Sequence, residues 1–202
     1  MKKIYIYGAS GHGKVIADIA RACGYEIEGF VDDDPLKTEF CGYPCIRGGQ
    51  MEQTIAVAVA IGGNKARKAV FGRLKSDGHS LPALTHPTAV VSPSASVGEG
   101  SVVMPLCVIN AYASIGVGCI INSGGIVEHD CTIGDFVHIS PNAALAGGVS
   151  VGDMSHIGIG ATVIQLIKIG KECTIGAGAA VVSDISDGAT AVGVPAKVIT
   201  KP

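Results

Sequence analysis

From Ala89 to Asp184 the chain divides into sixes without an insertion, and the third place of every six is Val, Ile or Leu. Sixteen consecutive hexads hold this register, from Val91 to Val181, while the first place is mostly Ala, Ser, Cys or Gly and the fourth is often Gly. A period of six that lasts this long marks a β-helix of hexapeptide repeats. Three hexads make one triangular coil, each flat side turns one aliphatic residue inward, and positions 18 apart stack at the inter-strand spacing of ~4.8 Å. With no insertion in the array, no long loop protrudes. A site must therefore lie on a wall, at an edge or against a neighbouring chain.

The chain before the array has another rhythm. "KIYIYG" reads as a strand and 13–23 as a helix that Gly24 can end; "EIEGFVDDD" is a second strand. "TIAVAVAIGG" is too continuously apolar for a half-exposed strand and suits a parallel strand covered on both faces, followed by a helix over 64–77. The expected organisation is a parallel-sheet α/β domain over 1–84 and a β-helix over 85–202. Between the first strand and helix stands "GASGHGKV". As a Walker A loop it lacks the Ser or Thr that would hold Mg²⁺, because Val15 follows the lysine. As a glycine turn opening a helix it would place a phosphate or diphosphate on free backbone N–H groups.

Composition narrows the functions. The 202 residues carry a formal charge of −2, which offers no basic footprint for nucleic acid. No secretory leader or membrane span is evident, so the expected location is the cytoplasm, without a membrane partner. Seven cysteines suit reduced thiols rather than a disulfide framework, and the lone C-x-x-x-C of Cys41 and Cys45 is too little for zinc. Cys107, Cys119, Cys131 and Cys173 all fall in the small first place and read as core fillers.

Titratable chemistry concentrates in "IVEHDCTIGDFVHIS". His129 stands between Glu128 and Asp130 at a corner of the prism, where a neighbouring carboxylate can orient a histidine and raise its basicity, as a general base requires. His138, and His156 one coil later, take the outward second place. Zinc held by His129, His138 and His156 would make a metal enzyme of the γ-carbonic anhydrase sort. His129 and His138 are however one and a half hexads apart, and the H-x-x-x-x-H spacing of such sites is missing. A noncatalytic dinucleotide sensor using Gly8 to Gly13 and Asp32 is the other alternative.

The segments "KIYIYGASGHGKVIADI", "FVDDD", "AIGGN", "SPSASVG", "NSGGIVEHDCTIGDFVHISPNAALAGGVSVG" and "GVPAKVI" together resemble the sugar-nucleotide acetyltransferases of the bacterial bacillosamine pathway (PglD type) and their sialic-acid O-acyltransferase relatives (NeuD type). The resemblance covers nearly the whole chain. It implies a Rossmann-like domain before a left-handed β-helix, a homotrimer, acetyl-CoA as donor without a metal, and a UDP-linked 4-amino-6-deoxy sugar as acceptor. O-acetylation of a sialic acid or another sugar is its alternative. By position it implies His129 as general base and Asp130, where relatives often carry Glu, as its acid partner. It further implies His138 near the thioester, with Gly147, Ile159 and Ala177 along the path of CoA. Ser10, Gly11 and His12 match the loop on the diphosphate and sugar, Asp32 and Asp33 the pair facing base and ribose, and Gly62 a backbone contact.

Overall fold

The computed structural model describes residues 2–199. Five strands form the first sheet: β1 (Lys2–Tyr7), β2 (Tyr25–Val31), β3 (Glu39–Phe40), β4 (Tyr43–Ile46) and β5 (Ala56–Val59), in the order β3-β4-β2-β1-β5. The pairs β1–β2, β1–β5 and β2–β4 are parallel. The apolar run of β5 is thus at the sheet's edge, where the Val57 N–H donates to the Ser80 carbonyl at 2.9 Å. Helix α1 (Gly11–Ala22) buries Ile16, Ala17, Ile19 and Ala20. Helix α2 (Asn64–Ser76) buries Arg67, Phe71 and Leu74. No helix among the described residues is long and apolar enough to cross a membrane.

The remainder is a left-handed triangular prism. Its strands are mostly two residues long, the second of each pair being the third-place aliphatic, and parallel partners are one coil apart, as Ile120, His138, His156 and Thr174 are. Val103, Ile109, Ile121, Val127, Ile139 and Leu145 are each 0% exposed, so the register seen in the sequence is the core. Cys107, Cys119, Cys131 and Cys173 are buried free thiols beside it. The left-handed backbone regularity is less visible in the sequence. The sixth place of each hexad from Gly100 to Gly178 has φ near +60°, whether it is glycine or a bulky residue such as Leu106, Tyr112 or Phe136. Such a residue at every corner turns the chain from one wall to the next.

The three walls differ in what they show outward. One presents Ser96, Ser114, Thr132, Ser150 and Lys168 and is polar. A second begins with Leu84, Val102 and Ile120, which are 1%, 3% and 1% exposed because they share a core with Ile16 and Ala20 of α1. The third presents Val90, Val108, Ile126, Ala144, Thr162 and Ala180, with Val90 64% and Ile126 36% exposed. These are the polar, docked and apolar walls below.

Helix α2 fastens the sheet to the prism. Phe71 meets Phe136 edge-on, with ring centroids 5.4 Å apart. Arg67, 1% exposed, donates to the carbonyls of Gly118, Phe136, Ile61 and Gly62 and to the Asn64 side chain. Burial without a carboxylate partner holds its pKa down to about 10, still charged at neutral pH.

Candidate active site

His129 follows the apolar-wall strand Ile126–Val127, at the corner shared with the polar wall. Asp130 occupies a sixth place with φ 59°, and this turn folds its carboxylate back toward the preceding ring. His129 Nδ1 lies 2.8 Å from Asp130 Oδ2. The shorter acid therefore reaches its partner. With Nδ1–H donated to the carboxylate, Nε2 keeps the lone pair. The hydrogen bond His129 donates to Asp130, with the charges of Asp130 and Glu128, raises the His129 pKa above the ordinary value. Nε2 points over Gly147, where an added Cβ would sit 2.6 Å from both Nε2 and Cε1. The two residues line a cleft of about 340 Å³ with Gly148, Gln165 and Leu166. Gly147→Ala is expected to push the ring aside and lower turnover at least about tenfold with an unchanged melting temperature, because a 1 Å misplacement at a reacting group is costly. Steady-state rates beside a thermal melt check this.

The other sequence-derived residues lie elsewhere on this chain. His138 is on the docked wall, in a cleft of about 770 Å³ between that wall and Gly62, Gly63, Asn64 and Lys65 at the start of α2. Burial, then the charges of His156 and Arg67, push its pKa down to about 3, so the ring is neutral. Asn122 Nδ2 lies 3.1 Å from its Nε2. His156 stacks on it with ring centroids 4.8 Å apart and 3° between planes, and Ser140 Oγ holds the His156 Nε2 at 2.7 Å. Asn122, Ser140 and Arg67 gave no signal in the sequence, since each looked like an ordinary surface residue. Ile159 and Ala177 are exposed at the corner between the docked and apolar walls. His129 and Gly147 are thus at one border of the apolar wall, Ile159 and Ala177 at the other. The structure does not bring these donor-side residues together within one chain, and His129 is not on the wall of His138 and His156.

The glycine turn explains its own residues. Gly8 has φ 123°, and a Cβ there would meet the Ala60 carbonyl oxygen at 2.6 Å; a Cβ on Gly13 would strike the Gly8 carbonyl. Gly11 opens onto free space, and Ser10, the N-cap of α1, makes no side-chain capping bond. Asp32 is committed to holding this turn: its Oδ2 accepts from the Ala9 N–H at 3.0 Å and from Lys37 Nζ at 2.9 Å. Asp33 accepts from the Tyr7 hydroxyl at 2.8 Å. Ser10, Asp32, Asp33 and Gly62 line one cleft of about 260 Å³ with Gly8 and Tyr7. His12 has a buried Nε2 without a partner, and burial, then Arg67, hold its pKa down to about 4.

Residues 3–74 match the family model of the PglD N-terminal domain. A UDP-N-acetylbacillosamine N-acetyltransferase of Bacillus subtilis (strain 168) is 41% identical over 112 residues, 52% of this chain and 52% of that protein, so the match spans about half of that relative. Over its whole length the chain is similar to a solved variant of the GDP-perosamine N-acetyltransferase of Caulobacter crescentus in complex with CoA and GDP-perosamine. The TM-score is 0.95 at 40% identity, covering 100% of this chain and 98% of that one. It is similar also to the acetyltransferase domain of PglB from Neisseria gonorrhoeae FA1090 in complex with acetyl coenzyme A, with a TM-score of 0.92 at 40% identity over 98% of this chain and 99% of that one. With its N-terminal sheet, its left-handed prism and this full-length kinship, the chain belongs to the PglD-type family of sugar-nucleotide acetyltransferases.

Proposed function

We propose that this protein transfers the acetyl group of acetyl-CoA to the 4-amino group of a UDP-linked 4-amino-6-deoxy sugar, working in the cytoplasm as a homotrimer without a metal. Residues 1–84 hold the nucleotide sugar and 85–202 carry out the transfer. The observation that carries this is the His129–Asp130 couple, an oriented base whose free Nε2 faces a cleft at a corner of the prism. The Caulobacter relative's complex with CoA and GDP-perosamine, and the name of the Bacillus relative, support a 4-amino sugar nucleotide as the class of acceptor.

The apolar wall supports the homotrimer. A second copy that covers it removes Val90 and Ile126 from water. In a three-fold ring with apolar walls inward, one protomer's corner between apolar and polar walls abuts its neighbour's corner between docked and apolar walls. His129 and Gly147 of one copy then face Ile159, Ala177 and His138 of the next, with CoA between them. The nucleotide sugar is anchored at Ser10, Gly11, His12 and Gly62 beside the docked wall, and its amine reaches the neighbour's His129.

In the transfer, the neutral amine attacks the thioester carbonyl and a C–N bond forms as His129 Nε2 accepts the amine proton. Asp130 stabilises the resulting imidazolium through Nδ1–H. The Gly147 N–H receives the oxyanion. Collapse breaks the C–S bond, and the departing sulfur takes the proton from His129. His138, neutral, packs beside the thioester without repelling the imidazolium.

Because Asp130 raises the His129 pKa, the base is lost to protonation as pH falls through a value above the ordinary ~6.5. Asp130→Asn is expected to lower kcat about tenfold or more and to move that acid limb of the kcat profile to lower pH. Rates across pH 5 to 9 read both effects. The activity itself is tested by incubating acetyl-CoA with a panel of UDP-, GDP- and CMP-linked amino sugars and following free thiol. Release with 4-amino sugar nucleotides alone is the expected result. Release only with hydroxyl acceptors would move the assignment to O-acetylation.

A further inference from the structure

Arg67 is the largest fully buried side chain among the described residues, and acyl transfer leaves it unused. Its N–H groups are taken by neutral oxygens. Nε donates to the Gly118 carbonyl at 2.7 Å, Nη1 to those of Ile61 and Gly62 at 3.1 and 2.9 Å, and Nη2 to the Phe136 carbonyl at 2.8 Å and Asn64 Oδ1 at 2.9 Å. Asn64 is held in turn, its Nδ2 donating to the Met154 and Ser155 carbonyls. The guanidinium is therefore fixed, and none of these partners is a carboxylate. A buried cation without an opposite charge is expensive to keep, so its presence calls for a role.

Gly62, whose carbonyl Arg67 holds, lines both the 260 Å³ cleft at the start of α1 and the 770 Å³ cleft at His138. The imidazoles around this junction are neutral. Burial and then the Arg67 charge lower the pKa of His12 and of His156; for His138 burial comes first, then His156 and Arg67. Hydrogen bonding says the same of His138 independently. Asn122 Oδ1 accepts the Ser123 N–H at 2.9 Å, which turns its Nδ2 toward His138 Nε2 at 3.1 Å, where only an unprotonated nitrogen can accept. Carboxylates that could offset Arg67 are engaged elsewhere: Glu172 with Lys65 at 3.5 Å, Asp32 with Lys37 at 2.9 Å and Asp33 with Arg73 at 3.6 Å. The Cys119 thiol, which also feels Arg67, is pushed up to about 11 by burial and stays neutral. Lys68, 5.9 Å over the Phe136 ring, adds charge of the same sign.

We propose that the fixed charge of Arg67 excludes a second cation from this junction, so that the amino sugar sheds its ammonium proton to solvent as it binds and meets the thioester as the free amine. The proposal rests on the nucleotide-sugar function above, whose attack requires a neutral amine. Aliphatic amines are mostly ammonium at neutral pH. A like charge in a desolvated site favours their neutral form, as it does for a buried lysine. The protons balance: the ammonium gives one to solvent on entry, and the amine gives a second to His129 Nε2 as the C–N bond forms. Arg67 acts at a distance and touches neither reactant.

Calorimetric binding of a UDP-linked 4-amino-6-deoxy sugar and of its 4-hydroxy counterpart, to the full-length protein without acetyl-CoA, tests this. Run at neutral pH in two buffers of different ionisation enthalpy, it counts the protons released. Wild type should release about one proton more with the amino sugar than with the hydroxyl counterpart. Arg67→Gln, polar but uncharged, should release less than about half of that excess. Its kcat should fall about tenfold at neutral pH and recover above about pH 9, where more of the amine is free in solution. Arg67→Lys keeps the charge without the fork and should restore the release, whereas a purely structural role would leave the count unchanged in every variant that folds. Undiminished release by a folded Arg67→Gln overturns the proposal. Equal counts for the two ligands in wild type overturn it without any substitution, so the test stands even if Arg67→Gln fails to fold. Equal counts beside active acetyl transfer would leave the nucleotide-sugar function intact, whereas binding of neither ligand would remove that function as well.

Discussion

His129→Ala is expected to lower kcat by roughly 10²- to 10⁴-fold, the range that general-base catalysis supplies, and to leave the proposed assembly and acetyl-CoA affinity close to wild type. The side chain is exposed at a corner, so its loss removes chemistry and little packing. The deficit shrinks at high pH, where the acceptor amine is already neutral in solution and needs less help. A residue that only held the acetyl group in place would show no such recovery. The measurement is a kcat profile against pH for wild type and variant with the acceptor identified in the panel. Near-normal kcat in the variant at neutral pH would move the base to another residue, with His138 the next to test.

Ala144→Arg, in the middle of the apolar wall, is expected to convert the proposed homotrimer to monomers and to reduce activity by more than about 10²-fold, because a buried unpaired charge at an interface costs several kcal/mol. Ala144 lies outward on its wall strand, paired with Ile126 above and Thr162 below, and does not touch the third-place core. The monomer should therefore keep the far-UV spectrum of the folded chain. Sedimentation velocity with parallel activity assays reads both effects. Ser114→Arg on the polar wall is the control, expected to change neither, since that face meets solvent.

The fold was unusually legible because a β-helix repeats one physical demand sixteen times, a third-place aliphatic pointing inward. The ends of α1 were less so: the helix begins at Gly11 rather than Gly13, because Ser10 supplies the extended N-cap. The apolar run of β5 could not tell an edge strand from a central one, since its edge is covered by the segment after α2. Nor could a sequence with Leu106, Tyr112 and Phe136 at corners announce a left-handed backbone there. That hidden turn sets Asp130 against His129, so the couple was visible as a pattern while its geometry was not. Arg67 and the burial of His138 depend on α2 docking against the prism, a meeting that joins Arg67 to Gly118 and Phe136, 51 and 69 residues further along the chain. Local patterns carry no record of such a meeting.

In the proposed homotrimer each catalytic centre draws His129 from one copy and its nucleotide-sugar anchor from the next. Two variants expected to be inactive alone probe this arrangement: His129→Ala, and Ser10→Trp, which fills the mouth of the cleft lined by Ser10, Asp32 and Asp33 at an exposed position. Refolded together in equal amounts, they should regain about a quarter of wild-type activity, the share of interfaces in which both contributing halves are intact. Activity that stays at the level of the separate variants in demonstrably mixed assemblies would place both halves in the same chain and contradict the shared site.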